Sequence, residues 1–162
     1  MSIKPPLIFI VDDVPENIQI AMSHLKELRC DFAYATSGEQ ALQRIAATNP
    51  QLILMDVMMP GMSGFKTVEL LNQDETTSSI PVIFLTARAE SEDVVKGFSL
   101  GGVDYITKPF KGVELRSRVR NHLELHAYRS SLERLVEERT HETELLKDVI
   151  IEAMGEMAEY RD

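Results

Sequence analysis

Leu52-Ile53-Leu54-Met55-Asp56-Val57-Met58-Met59-Pro60-Gly61 decides how this chain is read: an unbroken apolar run, then an acid, then a turn-forming loop. Apolar residues on successive rather than alternate positions suit a strand buried on both faces of a parallel sheet. Leu7-Ile8-Phe9-Ile10-Val11 has the same character and ends in Asp12-Asp13. Open sheets of this kind bind ligands beyond the carboxyl ends of their strands, so three carboxylates are expected at one sheet edge. Carboxylates that close repel and raise one another's pKa. A hard divalent cation with oxygen ligands removes the conflict, and Mg2+ is the expected cofactor where phosphate is handled.

Two further apolar runs complete the edge. Pro81-Val82-Ile83-Phe84-Leu85 delivers the hydroxyl of Thr86, followed by the small residue Ala87, and Asp104-Tyr105-Ile106-Thr107 delivers Lys108-Pro109-Phe110. A lysine is a compact point charge suited to a phosphate oxygen, and a proline after it can fix the loop through a cis bond. Each motif alone has a plain reading: paired acids form a turn or helix cap, Asp56 before Met-Met-Pro-Gly forms a turn, Thr86 caps a helix, and Lys108 is a solvated charge. Their conjunction at the ends of buried strands outweighs those readings.

In this order, Asp12-Asp13, Asp56, Thr86, Tyr105 and Lys108-Pro109 resemble the receiver domain of two-component response regulators, over roughly residues 5 to 124. The resemblance implies an α/β fold, a doubly wound five-stranded parallel sheet of flavodoxin-like order 2-1-3-4-5. It implies that Asp56 accepts a phosphoryl group from the phosphohistidine of a sensor histidine kinase or phosphotransfer protein, with Lys108 and Thr86 binding phosphoryl oxygens. Mg2+ would be held directly by Asp13, Asp56 and the backbone carbonyl of Met58, with Asp12 reached mainly through water. Tyr105 would turn inward when Thr86 moves, switching a face formed by the fourth helix, last strand and last helix. Met58 and Arg88 would border the phosphoryl site and tune hydrolysis. No enzyme activity is implied beyond Mg2+-dependent self-phosphorylation and self-dephosphorylation. An α/β phosphatase with Asp56 as nucleophile shares the strand-end Asp and Lys, but would turn over external phosphomonoesters.

Composition sets limits. The 162 residues hold one well-buried domain, expected over 1–124, plus an appendage over 125–162. No apolar run is long enough to span a membrane and no signal peptide precedes Leu7, so a cytoplasmic protein without a membrane partner is expected. The net charge of -9 argues against a nucleic-acid partner. The single cysteine, Cys30, permits no internal disulfide and is placed at the start of the second strand. Helices are expected over Glu16 to Leu28, from Ser37-Gly38 to Asn49-Pro50, over Phe65 to Leu71 and over Glu90 to Leu100. The first carries apolar residues at Ile18, Met22 and Leu25 with Ile20, Ala21 and Leu28 beside them, and the second sets Ala41, Leu42 and Ile45 inward. Arg116, Arg118 and Arg120 read as a solvated helix face. His122 and His126, four apart, could grip a metal, yet lack a third ligand and read as a solvated pair; His24 and His141 are isolated.

From Lys111 onward there is no proline, and one long helix is expected. Val113, Leu115, Val119 and Leu123 can cover the sheet. Beyond them a repeat with alternating steps of three and four runs through Leu125, Tyr128, Leu132, Leu135, Arg139, Glu142, Leu146, Val149 and Ala153, the seam of a coiled coil. A neighbouring register through Val136, Thr143, Ile150 and Met157 shares Leu132, Arg139, Leu146 and Ala153. Leu145-Leu146 and Val149-Ile150-Ile151 would be wet on a monomer, so a parallel homodimer is expected. The polar centre, Glu137 to Glu144, offers the seam almost nothing apolar and should be able to shift register.

The last segment, Glu152-Ala153-Met154-Gly155-Glu156-Met157-Ala158-Glu159-Tyr160-Arg161-Asp162, resembles the opening of HD-GYP domains, the metal-dependent phosphodiesterases of cyclic di-GMP. This implies an output domain of that class following the linker, its metal ligands not on this chain. Alternatives are a stand-alone or relay receiver with a dimerising helix, or a receiver regulating a diguanylate cyclase or histidine kinase.

Overall fold

The computed structural model describes residues 4–88 and 91–160. Five strands, β1 (Leu7–Val11), β2 (Asp31–Ala35), β3 (Leu52–Asp56), β4 (Val82–Thr86) and β5 (Asp104–Thr107), alternate with helices α1 (Pro15–Leu25), α2 (Gly38–Thr48), α3 (Gly64–Asn72), α4 (Ser91–Ser99) and α5 (Gly112–Glu159). All pairings are parallel and the order is β2-β1-β3-β4-β5. The expected sheet order is therefore the observed one. Contacts divide the chain into two compact units, Met1–Glu124 and Leu125–Asp162, with α5 running through the division.

The unbroken apolar runs explain the layering. On one face of the sheet Phe9, Val11, Ile53, Met55 and Phe84 pack with Ala41 and Ile45 of α2 and Phe65, Val68 and Leu71 of α3. On the other, Ile8, Ile10, Leu54, Ile83 and Ile106 pack with Ile18, Ala21 and Leu25 of α1 and Leu115 and Val119 of α5. Each fully buried branched side chain stabilises the fold by roughly 1.5–3 kcal/mol. Because both faces are covered, the sheet is accessible to a ligand only at its ends.

Local signals set the helix ends. Ser37 caps α2 by accepting from the Gln40 amide at 3.2 Å, and Asn49 closes it in the left-handed region at φ 48°. Ser63 caps α3 in the same way, accepting from Lys66 at 3.2 Å.

Several expectations need correction. The first helix does not run to Leu28: α1 ends at Leu25 and a 3-10 turn covers Lys26–Leu28, closed by Arg29 at φ 52°. Its buried stripe is Ile18, Ala21 and Leu25, which turns Ile20 to the surface. Cys30 precedes β2 rather than opening it. Leu115 and Val119 are fully buried and Leu123 packs beside them, but Val113 points outward, because on an α-helix it shares no face with Leu115. α4 begins at Ser91, and Glu90, expected to open it, lies outside the described residues, as do Arg161 and Asp162 of the terminal segment.

The arginine and histidine readings also change. Glu114, Arg118 and His122 stand four apart on α5 and align over Asp104 at the start of β5. Arg118 donates to Asp104 at 2.7 Å and to Glu114 at 3.2 Å, and His122 Nε2 lies 3.1 Å from Asp104 Oδ2. Arg116 lies 3.6 Å from Glu27. Of the basic set Arg120 is exposed while Arg116 and Arg118 are half-buried, and His122 is not part of a solvated pair. Helical spacing was visible in the sequence; the acid beneath it, from a different element, was not.

In the second unit the helix stands alone. Leu125, Tyr128, Leu132, Leu135, Leu146 and Val149 are all exposed, as are Val136, Ile150 and Met157. Among the described residues, no helix is long and apolar enough to cross a membrane.

Candidate functional site

Asp12, Asp13 and Asp56 leave the carboxyl ends of adjacent strands β1 and β3, whose register pairs Val11 with Met55. One carboxylate oxygen from each lies within 4.8 Å of the others. Asp12 is wholly buried and Asp56 nearly so, while Asp13 is partly open to solvent. Lys108, carried past the end of β5, reaches back between them: its Nζ lies 2.6 Å from Asp12 Oδ2 and 3.1 Å from Asp56 Oδ1. The Lys108-Pro109 bond is cis, as the sequence suggested, and the Lys108 amide donates to the Thr86 carbonyl at 2.8 Å.

The remaining oxygens are mostly held by the chain itself. Asp12 Oδ1 accepts from the Val14 amide at 2.9 Å and from Asn17 Nδ2 at 3.3 Å. The plain reading of paired acids as a turn former is thus correct for one oxygen of Asp12. Asp56 Oδ1 also accepts from the Met58 amide at 3.3 Å.

Burial pushes the Asp56 carboxyl up to about 6, the negative charge of Asp12 pushes the same way, and the charge and hydrogen bond of Lys108 oppose them. One ammonium thus faces three acids. An oxygen-lined pocket with surplus negative charge, part of it open to solvent at Asp13, fits a hard divalent cation.

Thr86 is buried at the end of β4, where its hydroxyl donates to the Arg88 carbonyl at 2.7 Å and accepts from the Arg88 amide at 3.2 Å. Beside it is an apolar crevice lined by Val57, Phe84, Val94, Gly97, Phe98 and Tyr105. Tyr105 is half-buried and meets the Phe98 ring edge-on, centroids 6.2 Å apart. Met58 is largely exposed, at 74%, in the loop that follows Asp56.

Two residues that position the site escaped the sequence reading. Gly64, the first residue of α3, packs so tightly against the end of β3 that a Cβ there would fall 2.0 Å from the Asp56 carbonyl oxygen, and its amide donates to the Val57 carbonyl at 3.0 Å. Asn17 braces Asp12 from the first turn of α1. A glycine in a loop is legible as a turn, but its approach to a strand eight residues earlier is not.

The model of the response regulator receiver domain matches residues 8–120. This chain belongs to the response regulator receiver family. The receiver is 34% identical to a response regulator of known structure from Chloroflexus aurantiacus, with a TM-score of 0.71 over 75% of this chain and 99% of that one. It is 39% identical over 114 residues to the response regulator PleD of Caulobacter vibrioides, an alignment covering 70% of this chain. The chain is 38% identical over 162 residues to a Vibrio cholerae protein named a probable cyclic di-GMP phosphodiesterase, an alignment covering 96% of this chain and extending beyond the receiver along the helix. The chain spans 36% of the length of that protein and 25% of PleD.

Proposed function

We propose that the receiver takes a phosphoryl group onto Asp56 from a sensor histidine kinase or phosphotransfer protein and passes the resulting change through α5 to an output domain. The observation that carries this is the placement of Lys108 between Asp12 and Asp56, within 3.1 Å of both, at the mouth of a three-carboxylate pocket. A carboxylate so placed is a nucleophile whose neighbours suit the charge of an incoming phosphoryl group.

In the proposed step an Asp56 oxygen attacks phosphorus in line, the P–N bond to the donor histidine breaks, and its electron pair returns to the imidazole. Phosphoryl transfer of this kind depends on positioning and charge neutralisation. Asp13, Asp56 and the Met58 carbonyl would hold Mg2+ directly. Asp12, with its oxygens committed to Lys108, Val14 and Asn17, would act mainly through water. The bound ion would supply neutralisation of the carboxylates and the phosphoryl oxygens. Lys108 exchanges its carboxylate contacts for a phosphoryl oxygen. Thr86 gives up the Arg88 carbonyl and turns its hydroxyl to another, and Tyr105 follows into the crevice that Thr86 borders. Acyl phosphate thereby biases the face formed by α4, β5 and α5.

The output we propose is an HD-GYP phosphodiesterase of cyclic di-GMP. Supporting it are the terminal resemblance from Glu152 and an alignment to the Vibrio cholerae protein that continues through the linker. In this reading the linker pairs two chains in parallel, which would bury an apolar stripe that is exposed among the described residues.

Asp56→Asn tests the central assignment. The amide is a poor nucleophile and a weaker metal ligand, so labelling by acetyl phosphate in Mg2+, or by a phosphohistidine donor, should be abolished. Stable Mg2+-dependent labelling of the variant at another residue would overturn it.

A further inference from the structure

The linker helix carries two overlapping heptad registers, and its two halves favour different ones. In the first register the seam before the polar centre is Leu125, Tyr128, Leu132 and Leu135, all apolar and all exposed on one chain. The second register would put Arg129 into that seam. After the polar centre the preference reverses. The first register continues through Leu146, Val149 and Ala153 but then places Glu156 at the seam, where it would face its own copy. The second runs through Leu146, Ile150, Ala153 and Met157 without a charge. Burying paired like charges is costly, whereas burying Met or Ile is favourable.

Charge at the flanks agrees. In a parallel pair, a residue just before one core position faces a residue five further on in the partner. In the first register this sets Glu124 against the partner copy's Arg129, in the N-terminal half. In the second it sets Glu142 against a second copy's Lys147, and Val149 against Met154, in the C-terminal half. Each half thus has its attractive cross-pair in the register that its apolar residues already favour. This complementarity identifies the occupant of the exposed stripe as a second copy of this chain, in parallel.

We infer that the linker is a parallel two-stranded coiled coil with a stutter inside its polar centre: the seam passes from Leu135 to Leu146 across an interval of eleven residues, one heptad plus four. An insertion of four residues locally unwinds the supercoil. Arg139 falls at the seam in both registers, Glu142 in the first and Thr143 in the second, so neither register has an apolar seam here and the stutter sits where relocating it costs least. A turn of α5 at the receiver end would reach the output end as a shift between registers. The inference rests on the parallel dimer proposed above.

Disulfide formation between single cysteines tests it, using the full chain in a Cys30→Ala background so that no other thiol competes. Leu135→Cys should cross-link several-fold faster than Val136→Cys, whereas Ile150→Cys and Met157→Cys should cross-link several-fold faster than Val149→Cys and Glu156→Cys. All these positions are exposed in one chain, so none should disturb folding. Faster cross-linking at Val149 and Glu156, or equal rates at Val149 and Ile150, overturns the stutter and leaves the dimer standing. Faster cross-linking at Val136 than at Leu135 overturns it too. No cross-link at any site, with a monomer by light scattering, overturns the dimer and the stutter with it.

Discussion

Leu54 and Leu146 are the same residue under opposite conditions. Leu54 is fully buried in the centre of the sheet, and Leu146 is 63% exposed on an isolated stretch of helix. The receiver closes its own core: helices from one chain cover both faces of the sheet, so the site at its edge is organised without help. The linker carries apolar residues at comparable density but has no second layer to bury them against. One region buries its apolar residues within a single chain, and the other leaves them exposed to solvent.

The largest effect that would break this contrast comes from charging the seam. Leu132→Glu with Leu146→Glu should convert the dimer to a monomer, because each buried Leu is worth roughly 1.5–3 kcal/mol and the acids would face one another. Phosphoryl labelling at Asp56 should proceed as in the unmodified chain. Light scattering reads the first outcome and acetyl phosphate labelling the second; a loss of labelling along with the dimer would show that the site depends on the linker.

Two glycines sharpen the same comparison. Gly64→Ala drives a methyl into the Asp56 carbonyl, an overpacking that should cost about 1–3 kcal/mol in urea unfolding. Gly155 has nothing within 4 Å of a Cβ and lies in the helix interior, so Gly155→Ala should stabilise the linker by about 0.5–1 kcal/mol. The same chemical change should therefore act with opposite sign in the two units.

What the sequence revealed divides along these lines. Unbroken apolar runs announce buried strands and hence a doubly wound sheet, and motifs at strand ends share an edge by topology alone, which is why the grouping of Asp12, Asp13, Asp56 and Lys108 is legible from their order in the chain. Contacts between elements without such a rule stayed hidden. The approach of Gly64 to Asp56, the brace of Asn17 on Asp12 and the clasp of Arg118 and His122 on Asp104 depend on how helices are set against strands. The present hydrogen bond of Thr86 to Arg88 is a conformational state, which residue type cannot specify. Helix periodicity failed where it was read too broadly: Val113 is apolar and helical, yet it faces away from the sheet.

Within the site, Asp13→Ala and Asp12→Ala should separate metal binding from architecture. Asp13 is the more open carboxylate, and removing it should weaken Mg2+ more than removing Asp12, whose loss as an outer partner should cost about 10–100-fold. Asp12→Ala should instead lower stability, since the Val14 amide and Asn17 lose their acceptor and Lys108 is left with Asp56 alone. A Mg2+ titration ranking the two variants in reverse would exchange their roles.

The smallest effect concerns the clasp that fastens the first turns of α5 to the sheet. Burial pushes the Asp104 carboxyl up, but hydrogen bonds from Arg118, His122 and the Tyr105 amide, with the charge of Arg118, outweigh it and hold the group below the usual carboxylate range. A depressed folded-state pKa contributes stability above the unfolded value, near 3.9, and that contribution is lost as pH falls through the folded one. Asp104→Asn should therefore destabilise the receiver by about 1 kcal/mol or less at pH 7, the magnitude expected for a partly solvated ion pair. The gap between variant and parent should close as pH is lowered through the acid range. Urea unfolding of both proteins across that range measures it. A gap that stays constant down to acid pH would mean that Asp104 holds α5 by its shape and neutral hydrogen bonds rather than by its charge.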